Sequence, residues 1–195
     1  MKQYIYDQIA DSAATKQAIL ESEPLLDMIV TVAKECVAVY RNGKKTMLAG
    51  NGGSAADAQH IAAELVGRYG FDRPSIPSLA LTTDTSNLTA IGNDYGYDKV
   101  FSRQVEGMSQ AGDLFIGIST SGNSQNIVNA FESAKQRGVI TVALVGRDGG
   151  KMAAMADFAI IIPSNSTPRI QESHILIGHI LCDIIEKELF GGGVA

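Results

Sequence analysis

The chain has 195 residues, 45% of them hydrophobic and 19% charged, which is the composition of a globular domain and excludes a disordered chain. Its formal net charge of −5 provides no basic surface for nucleic acid, and no apolar run is long enough to span a membrane. Cys36 and Cys182 form no metal-binding or redox spacing, and the N-terminal segment lacks the apolar core of a signal peptide. We therefore expect a cytoplasmic protein with two reduced thiols and with no nucleic-acid or membrane partner.

The order of apolar segments predicts an α/β fold. Two helices are predicted first, over residues 6–22 and 23–43. Five continuous apolar strands follow, separated by helices, which is typical of a parallel sheet covered on both faces. We place one domain over residues 1–195, with N-terminal helices over about 1–42, a core over about 43–190 and a loose tail at "GGGVA". The core strands are predicted at 45–49, 78–82, 114–118, 140–145 and 158–162, and the core helices at 54–69, within 86–106, and at 124–137, 151–156 and 168–189.

A glycine-rich turn, "GNGGS" at residues 50–54, follows the first core strand and precedes a helix. Backbone N–H groups in such a turn approach an anion closely at a helix N-terminus. The turn fits the dinucleotide pattern G-x-G-x-x-A, but the acid expected about 20 residues later is missing, since Asp84 comes too late. A tight turn capped by Ser54 together with Asp57 is the simpler alternative. Three glycines exceed what such a turn needs, so we expect a bound anion.

A second loop, "STSGNS" at residues 119–124, has the same strand, loop and helix order. It offers four hydroxyl groups at a helix start, where hydroxyl and amide donors hold phosphate without a lysine or arginine. The alternative is one N-cap serine in a turn with no ligand, but one cap needs one hydroxyl. Ligands of open parallel sheets bind beyond the carboxyl ends of strands, so the two loops are predicted to line one pocket.

His60 and Glu64 are four residues apart and lie on one face of the predicted helix. That spacing suits two ligands of a divalent ion or an acid/base pair, although an isolated pair is more often a core or surface histidine beside a solvated glutamate. All 3 histidines lie in this helix and the last one, which carries Gln171, His174 and His179. Gln171 and His179 are separated by roughly 12 Å along a helix axis, so one ion binds both only if their side chains reach toward each other. His174 has a supporting or packing role.

Four motifs in order carry a resemblance to a known family. The segments "GNGGSAADAQHIAAEL", "AIGNDYGYDKVFSRQV", "GISTSGNSQNI" and "RIQESHILIGHIL" are similar to those of the phosphoheptose (sedoheptulose-7-phosphate) isomerases in the SIS, or sugar isomerase, family. The likeness extends to about Phe190. It implies a single SIS domain with a flavodoxin-like parallel sheet flanked by helices, assembled through its N-terminal helices into a homotetramer with pockets between subunits.

The resemblance also implies the site residues and the reaction. The reaction is the conversion of sedoheptulose 7-phosphate to D-glycero-D-manno-heptose 7-phosphate, the first step of heptose biosynthesis for lipopolysaccharide or other bacterial surface glycans. One Zn²⁺ per subunit is implied at His60, Glu64, Gln171 and His179. Substrate binding is implied for Asn51, Gly52, Gly53, Ser54, Glu64, Asn93, Asp94, Ser119, Thr120, Ser121, Ser124 and Gln171.

The chemistry of isomerisation fits two of these residues. A base must carry a proton between C1 and C2, and an acid must serve the oxygens, roles that suit Glu64 and His179 as catalytic residues. Zinc would polarise the carbonyl and stabilise charge on the enediolate. Because a zinc-bound carboxylate is a weaker base, whether Glu64 is base, ligand or both stays open. The alternative is a non-catalytic SIS protein that binds the bacterial replication initiator. Such proteins lack the carboxylate and the final histidine, so Glu64 and His179 favour the enzyme.

Overall fold

The computed structural model describes residues 1–192, so the end of the predicted tail, residues 193–195, lies outside the described residues. Two helices come first, α1 (Lys2–Leu20) and α2 (Glu23–Arg41). Helix α2 has a proline in its first turn and an arginine in its last, and it buries one apolar face. Helix α1 starts before the predicted position and buries only Thr15 and Ile19, so most of its surface faces outward.

The five predicted strands form one parallel sheet, which confirms the expected fold class. The strands are β1 (Thr46–Gly50), β2 (Ser78–Ala80), β3 (Leu114–Ser119), β4 (Ile140–Gly146) and β5 (Phe158–Ile162). Their order is β2-β1-β3-β4-β5, the order of flavodoxin-like folds. Strand β2 is shorter than predicted because the chain turns away after Leu81, whose N–H still bonds the Leu48 carbonyl oxygen at 2.9 Å.

Six further helices cover the sheet, among them two that replace the one predicted within 86–106. The break falls at Gly96, whose φ of 85° cannot continue a helix. A 3₁₀ turn (Tyr97–Lys99) and a final π-helical turn (Lys187–Gly191) complete the described chain. None of the helices within residues 1–192 combines the length and apolarity that crossing a bilayer requires. The helices are α3 (Gly53–Val66), α4 (Thr85–Tyr95), α5 (Ser102–Met108), α6 (Gln125–Gln136), α7 (Gly150–Met155) and α8 (Thr167–Glu186).

Two hydrophobic clusters lie on opposite faces of the sheet, which explains why the strands are continuously apolar. Leu48 of β1 and Ile116 of β3 pack with α2, α3 and α8 on one face. Met47 and Phe115 pack with α5 and α6 on the other, where the Phe115 ring meets the ring of Phe131 edge-on at 5.5 Å. Both cysteines are free and buried, and burial raises the pKa of each thiol to about 12.

The strand order creates a crevice where the candidate ligand loops begin. Strands β1 and β3 are neighbours, but α3 leaves β1 toward one face of the sheet and α6 leaves β3 toward the other. The two connections therefore diverge at the carboxyl ends of the strands. This is the topological switch point at which open α/β sheets bind their ligands.

Candidate functional site

The glycine-rich turn sits at one side of the crevice and starts α3. Gly52 occupies the N-cap position with φ 56° and ψ −120°, a conformation that favours glycine. The alternative of a cap by Ser54 is wrong, because the helix begins earlier and Ser54 is buried in the first turn. Asp57 makes no cap either, and one of its carboxylate oxygens is buried without a hydrogen-bond partner. Burial raises the pKa of the Asp57 carboxyl group to about 6, although the nearby His60 acts to lower it.

Asn51 connects three elements across the crevice. Its side-chain amide pairs reciprocally with that of Asn126, at 3.0 and 2.9 Å, and Asn126 is buried in the first turn of α6. The hydroxyl of Tyr97 also donates to the side-chain Oδ1 atom of Asn51, at 3.0 Å. Sequence reasoning missed Asn126 and Tyr97, although both lie inside the quoted motifs "GISTSGNSQNI" and "AIGNDYGYDKVFSRQV". The two loops are thus held in a fixed relation before any ligand arrives.

The second loop gathers three serine hydroxyl groups on the other side of the crevice. The Oγ atom of buried Ser119 lies 3.0 Å from Oγ of Ser124 and 3.5 Å from Oγ of Ser121. Ser124 is the N-cap residue of α6, and its hydroxyl makes no capping bond. The first backbone N–H groups of a helix have no partner within the helix, so α6 adds further donors at this point. Hydroxyls and amides of this kind suit a phosphate group.

The backbone of this loop is fixed by its contact with α7. Gly122 has a positive φ of 65° and no side chain to separate the two backbones. Its carbonyl oxygen accepts the Met152 N–H at 2.9 Å. The Asn123 side chain accepts the N–H of Lys151 at 3.1 Å. Thr120 lies half-buried in the same loop. The loop is therefore shaped by the fold rather than by a ligand.

His60, Glu64 and His179 converge beside the crevice. Nε2 of His60 lies 3.1 Å from Oε1 of Glu64 and 3.2 Å from Nε2 of His179. One ligand atom from each of the three residues falls within 4.8 Å of the others, which makes them a group that could hold a metal ion. The side chains of His60 and Glu64 are 48% and 27% exposed, so a ligand can reach them. The structure therefore brings together three of the four residues that the resemblance implied as metal ligands, and their role as ligands stays a prediction.

A glycine brings the two helices close enough for this cluster to form. Gly178 of α8 lies directly against Ile61 of α3, and a Cβ atom on Gly178 would come within 2.6 Å of the Ile61 Cδ1 atom. His179 and His60 are the immediate sequence neighbours of this contact. The close helix approach therefore sets how near the two imidazole rings come, with their centroids 5.0 Å apart.

Three further residues that the resemblance implied lie on α8 and α4. The Gln171 side chain packs against Gly53 at the start of α3, and within residues 1–192 no hydrogen bond joins it to His60, Glu64 or His179. Its role as a fourth ligand stays a prediction. Asn93 and Asp94 are exposed near the end of α4, where the Asn93 amide donates to the Asp94 carboxylate at 2.8 Å. Their substrate role also stays a prediction.

His174 does not join the cluster. It is fully buried, and its Nε2 atom lies 3.1 Å from the carbonyl oxygen of Val145 in β4. Burial lowers its pKa to about 4, although the bond to Val145 opposes this shift, so the ring is neutral at pH 7. His174 thus packs α8 onto the sheet.

Comparison with known proteins identifies the family. A family model described as the SIS domain matches residues 9–146. A curated protein of Sulfurimonas denitrificans, named phosphoheptose isomerase, is 77% identical to this chain over 194 residues, which is 100% of either sequence. The chain belongs to the phosphoheptose isomerase group of the SIS domain family. A second member, phosphoheptose isomerase 2 of Campylobacter jejuni, is 58% identical to this chain. The match covers 99% of this chain and 96% of that protein.

A solved structure shares the architecture of this SIS domain. The structure of phosphoheptose isomerase from Neisseria gonorrhoeae matches with a TM-score of 0.90 at 46% identity, covering 95% of this chain and 98% of that one. The resemblance that the four motifs carried is thereby confirmed, as is the single SIS domain with its parallel sheet.

The Gly178 contact yields a prediction about stability. Gly178→Ala places a methyl group against Ile61, and overpacking of this kind costs about 1–3 kcal/mol of the free energy of unfolding. Urea denaturation would measure the loss. The double variant Gly178→Ala, Ile61→Ala should lose less than the sum of the two single variants, because the shorter side chain removes the clash.

Gly92→Ala is the matched control for that substitution. Gly92 also lies in a helix, but a Cβ atom there would lie 3.8 Å from the nearest atom, on Val100, which is an ordinary contact. Alanine should therefore be neutral or slightly stabilising at this position. Equal losses from Gly92→Ala and Gly178→Ala would show that close packing between α3 and α8 is not the cause.

Proposed function

We propose that the chain is a sedoheptulose 7-phosphate isomerase that forms D-glycero-D-manno-heptose 7-phosphate. The observation that carries the proposal is the convergence of His60, Glu64 and His179 beside two phosphate-suited loops. Close relatives that carry the name phosphoheptose isomerase support the same substrate. The product would supply heptose to lipopolysaccharide or another surface glycan, and the reaction would take place in the cytoplasm.

The serine loop is the proposed phosphate site. Ser119, Ser121 and Ser124 present their hydroxyls within 3.5 Å of one another at the start of α6, while Thr120 lies between them in the sequence. The sugar would extend from there toward the glycine turn, where the backbone of Gly52 is exposed and open to a ligand. Asn51, Gly53, Ser54 and Gln171 would complete that side of the pocket.

Glu64 is the proposed base. Its carboxylate would take a proton from C1 of the ketose and return it to C2 of the resulting enediol or enediolate, which gives the aldose. His179 would move a proton between the two oxygens, a role that imidazole side chains commonly fill in general acid–base catalysis. Glu64 and His179 both lie beside His60, so both roles can be served at one end of the sugar.

The three converging residues fit a zinc ion. Two nitrogen ligands of tetrahedral zinc, each about 2.0–2.1 Å from the ion, lie about 3.3–3.4 Å apart. The two Nε2 atoms of His60 and His179 lie at 3.2 Å, close to that separation. When bound, zinc would polarise the substrate carbonyl. We propose one zinc per subunit, held by His60, Glu64 and His179, with Gln171 as the fourth ligand.

We also propose that the protein works as a homotetramer. Helix α1 exposes four large apolar side chains near its N-terminus: Tyr4, Ile5, Tyr6 and Ile9 are each between 57% and 67% exposed. An apolar surface of this kind is typical of a protein interface. A pocket between subunits would let Asn93 and Asp94, which are exposed near the end of α4, contact the substrate.

Metal content is the first test. Protein purified without chelator should contain close to one zinc per chain by elemental analysis, and His60→Ala should largely empty the site because it removes the central member of the cluster. Gln59→Ala is the control, since that neighbouring side chain bonds the Thr82 hydroxyl at 3.2 Å instead. Retention of zinc by His60→Ala would remove the metal from the proposal.

Phosphate binding is the second test. Ser121→Ala or Ser124→Ala removes one hydroxyl donor to a charged group, a loss of about 1.5–3 kcal/mol or roughly ten- to a hundredfold. Steady-state kinetics should show a higher KM with a smaller change in kcat. Ser133→Ala, whose hydroxyl on the same helix bonds Glu106 at 3.0 Å, should behave as the wild type. If the loop variants also behave as the wild type, the phosphate is bound elsewhere.

Loss of the base is the third test. Glu64→Gln keeps the shape of the side chain but removes its proton acceptor, so kcat should fall by at least the roughly 10²–10⁴-fold credited to general acid–base catalysis. Conversion of sedoheptulose 7-phosphate in D₂O, followed by NMR, measures both turnover and uptake of deuterium at the carbon that receives the proton. The wild type should show both, and Glu64→Gln neither.

Two results would change this assignment. Full activity of Glu64→Gln would exclude Glu64 as the base. A wild type that converts no ketose phosphate would instead favour the non-catalytic alternative, a SIS protein that binds the replication initiator.

A further inference from the structure

A buried carboxylate organises the segment that follows α3. Glu186, at the end of α8, accepts the backbone N–H groups of Tyr69, Gly70 and Phe71 at 2.9, 2.6 and 3.2 Å. It also accepts the Nε–H of Arg73 at 2.8 Å, and the side chains of Arg73 and Glu186 are each only 1% exposed. The segment therefore wraps around one carboxylate of the helix that carries His179.

The same arginine holds the end of α3. Its Nη2 group donates to the carbonyl oxygen of Glu64 at 2.9 Å, and its Nη1 group donates to those of Leu65 and Gly67 at 2.6 and 3.2 Å. The last carbonyl groups of a helix lack partners within the helix, so Arg73 satisfies the C-terminal turn of α3. Glu64, the proposed base, stands on that turn.

These contacts join the two helices of the site at a second point. Gly178 meets Ile61 next to the imidazole pair, and Glu186 lies seven residues after His179, on the same face and about 10 Å further along α8. The chain of contacts runs from Glu186 through Arg73 to the backbone of Glu64. Two contact points along a helix pair fix their crossing as well as their separation.

We propose that Arg73 and Glu186 are positioning residues, a clamp that holds Glu64 and His179 at the separation the site requires. The role rests on the proposed function, since the separation matters only if these residues act on one ligand. The clamp also holds the ring of Tyr69, whose N–H bonds Glu186, against His179 with ring centroids 5.9 Å apart.

The carboxylate of Glu186 stays charged in this role. Burial alone would raise its pKa, but the hydrogen bonds from Tyr69, Gly70 and Arg73, together with that from Phe71, outweigh burial and lower the pKa. This ionised carboxylate accepts from four donors, so replacing it with a neutral group is costly. The amide of a glutamine would point its own N–H group at donors that need an acceptor. Glu186→Gln therefore loosens the clamp while changing little in volume.

A second buried carboxylate provides the control for simple loss of stability. Asp113 is 1% exposed and accepts the N–H groups of Lys45 and Gln110 together with the Lys45 ammonium group, at 3.1, 2.8 and 2.6 Å. It precedes β3 and so lies at the amino end of the sheet, opposite the site. Asp113→Asn removes the same kind of charge without touching α3 or α8.

The experiment compares zinc affinity, kinetics and stability in these variants. Zinc dissociation constants are measured by competition with a chromophoric chelator, and unfolding by urea. Glu186→Gln and Arg73→Lys should weaken zinc binding and lower kcat by about 10–100-fold, the usual effect of removing groups that orient metal ligands, with KM nearly unchanged. Arg73→Lys keeps the charge but loses the planar fork, and it serves if Glu186→Gln does not fold. Asp113→Asn should lower only stability.

Each outcome decides something. Wild-type zinc affinity and kcat in both clamp variants, or an equal loss in Asp113→Asn, would overturn the positioning role. A wild type that binds zinc but isomerises nothing would overturn the proposed function, while the zinc affinities still test the clamp. If the wild type isomerises without zinc, the kcat values of the clamp variants and of Asp113→Asn test the positioning role. A wild type that neither binds zinc nor isomerises would overturn both proposals.

Discussion

The site depends on how closely α3 approaches α8. Gly178 has no side chain to hold the helices apart, and Ile61 packs onto its Cα atom. Protein interiors are densely packed, so a contact of this kind fixes the position of the neighbouring side chains to within a fraction of an ångström. The Gly178–Ile61 contact therefore sets the separation of His60 and His179. With a larger residue at position 178, the two helices that carry these three residues would be held farther apart.

The sheet supplies the second half of the site. Because β1 and β3 are neighbours while their helices leave toward opposite faces, the glycine turn and the serine loop must open on either side of one crevice. The Asn51–Asn126 amide pair then fixes their relative position. The fold thus places candidate anion-binding donors at the starts of α3 and α6, and titratable groups further along α3 and on α8.

Much of this arrangement could be predicted from the sequence, because it depends on local patterns. Apolar runs predicted the strands, and loop composition pointed to the two candidate ligand loops. The spacing of His60 and Glu64 was sufficient to place both on one helix face. Ser54 shows the limit: capping depends on the backbone angles of Gly52, which residue type alone does not reveal.

Local patterns do not reveal contacts between distant segments, so only the family resemblance placed His60 and His179 in one site. His60 and His179 are 119 residues apart, and their contact follows from helix packing rather than from any local pattern. The burial of Glu186 beside Arg73 is similar, since an isolated glutamate near a helix end is usually solvated. The break at Gly96, which divides the predicted helix in two, would have required knowing which glycine adopts a positive φ.

The backbone contact between the serine loop and α7 has a thermodynamic consequence. Gly122 packs against the Gly149 carbonyl group, and a Cβ atom on Gly150 would lie 2.7 Å from the carbonyl oxygens of Ser121 and Gly122. Main chain touches main chain, so the loop has little freedom to lose. Binding of an anion there would therefore carry little free-energy cost for ordering the loop. The affinity of the loop should therefore follow the ligand's own charge and desolvation, which leaves discrimination among phosphorylated sugars to the groups at the opposite end of the crevice.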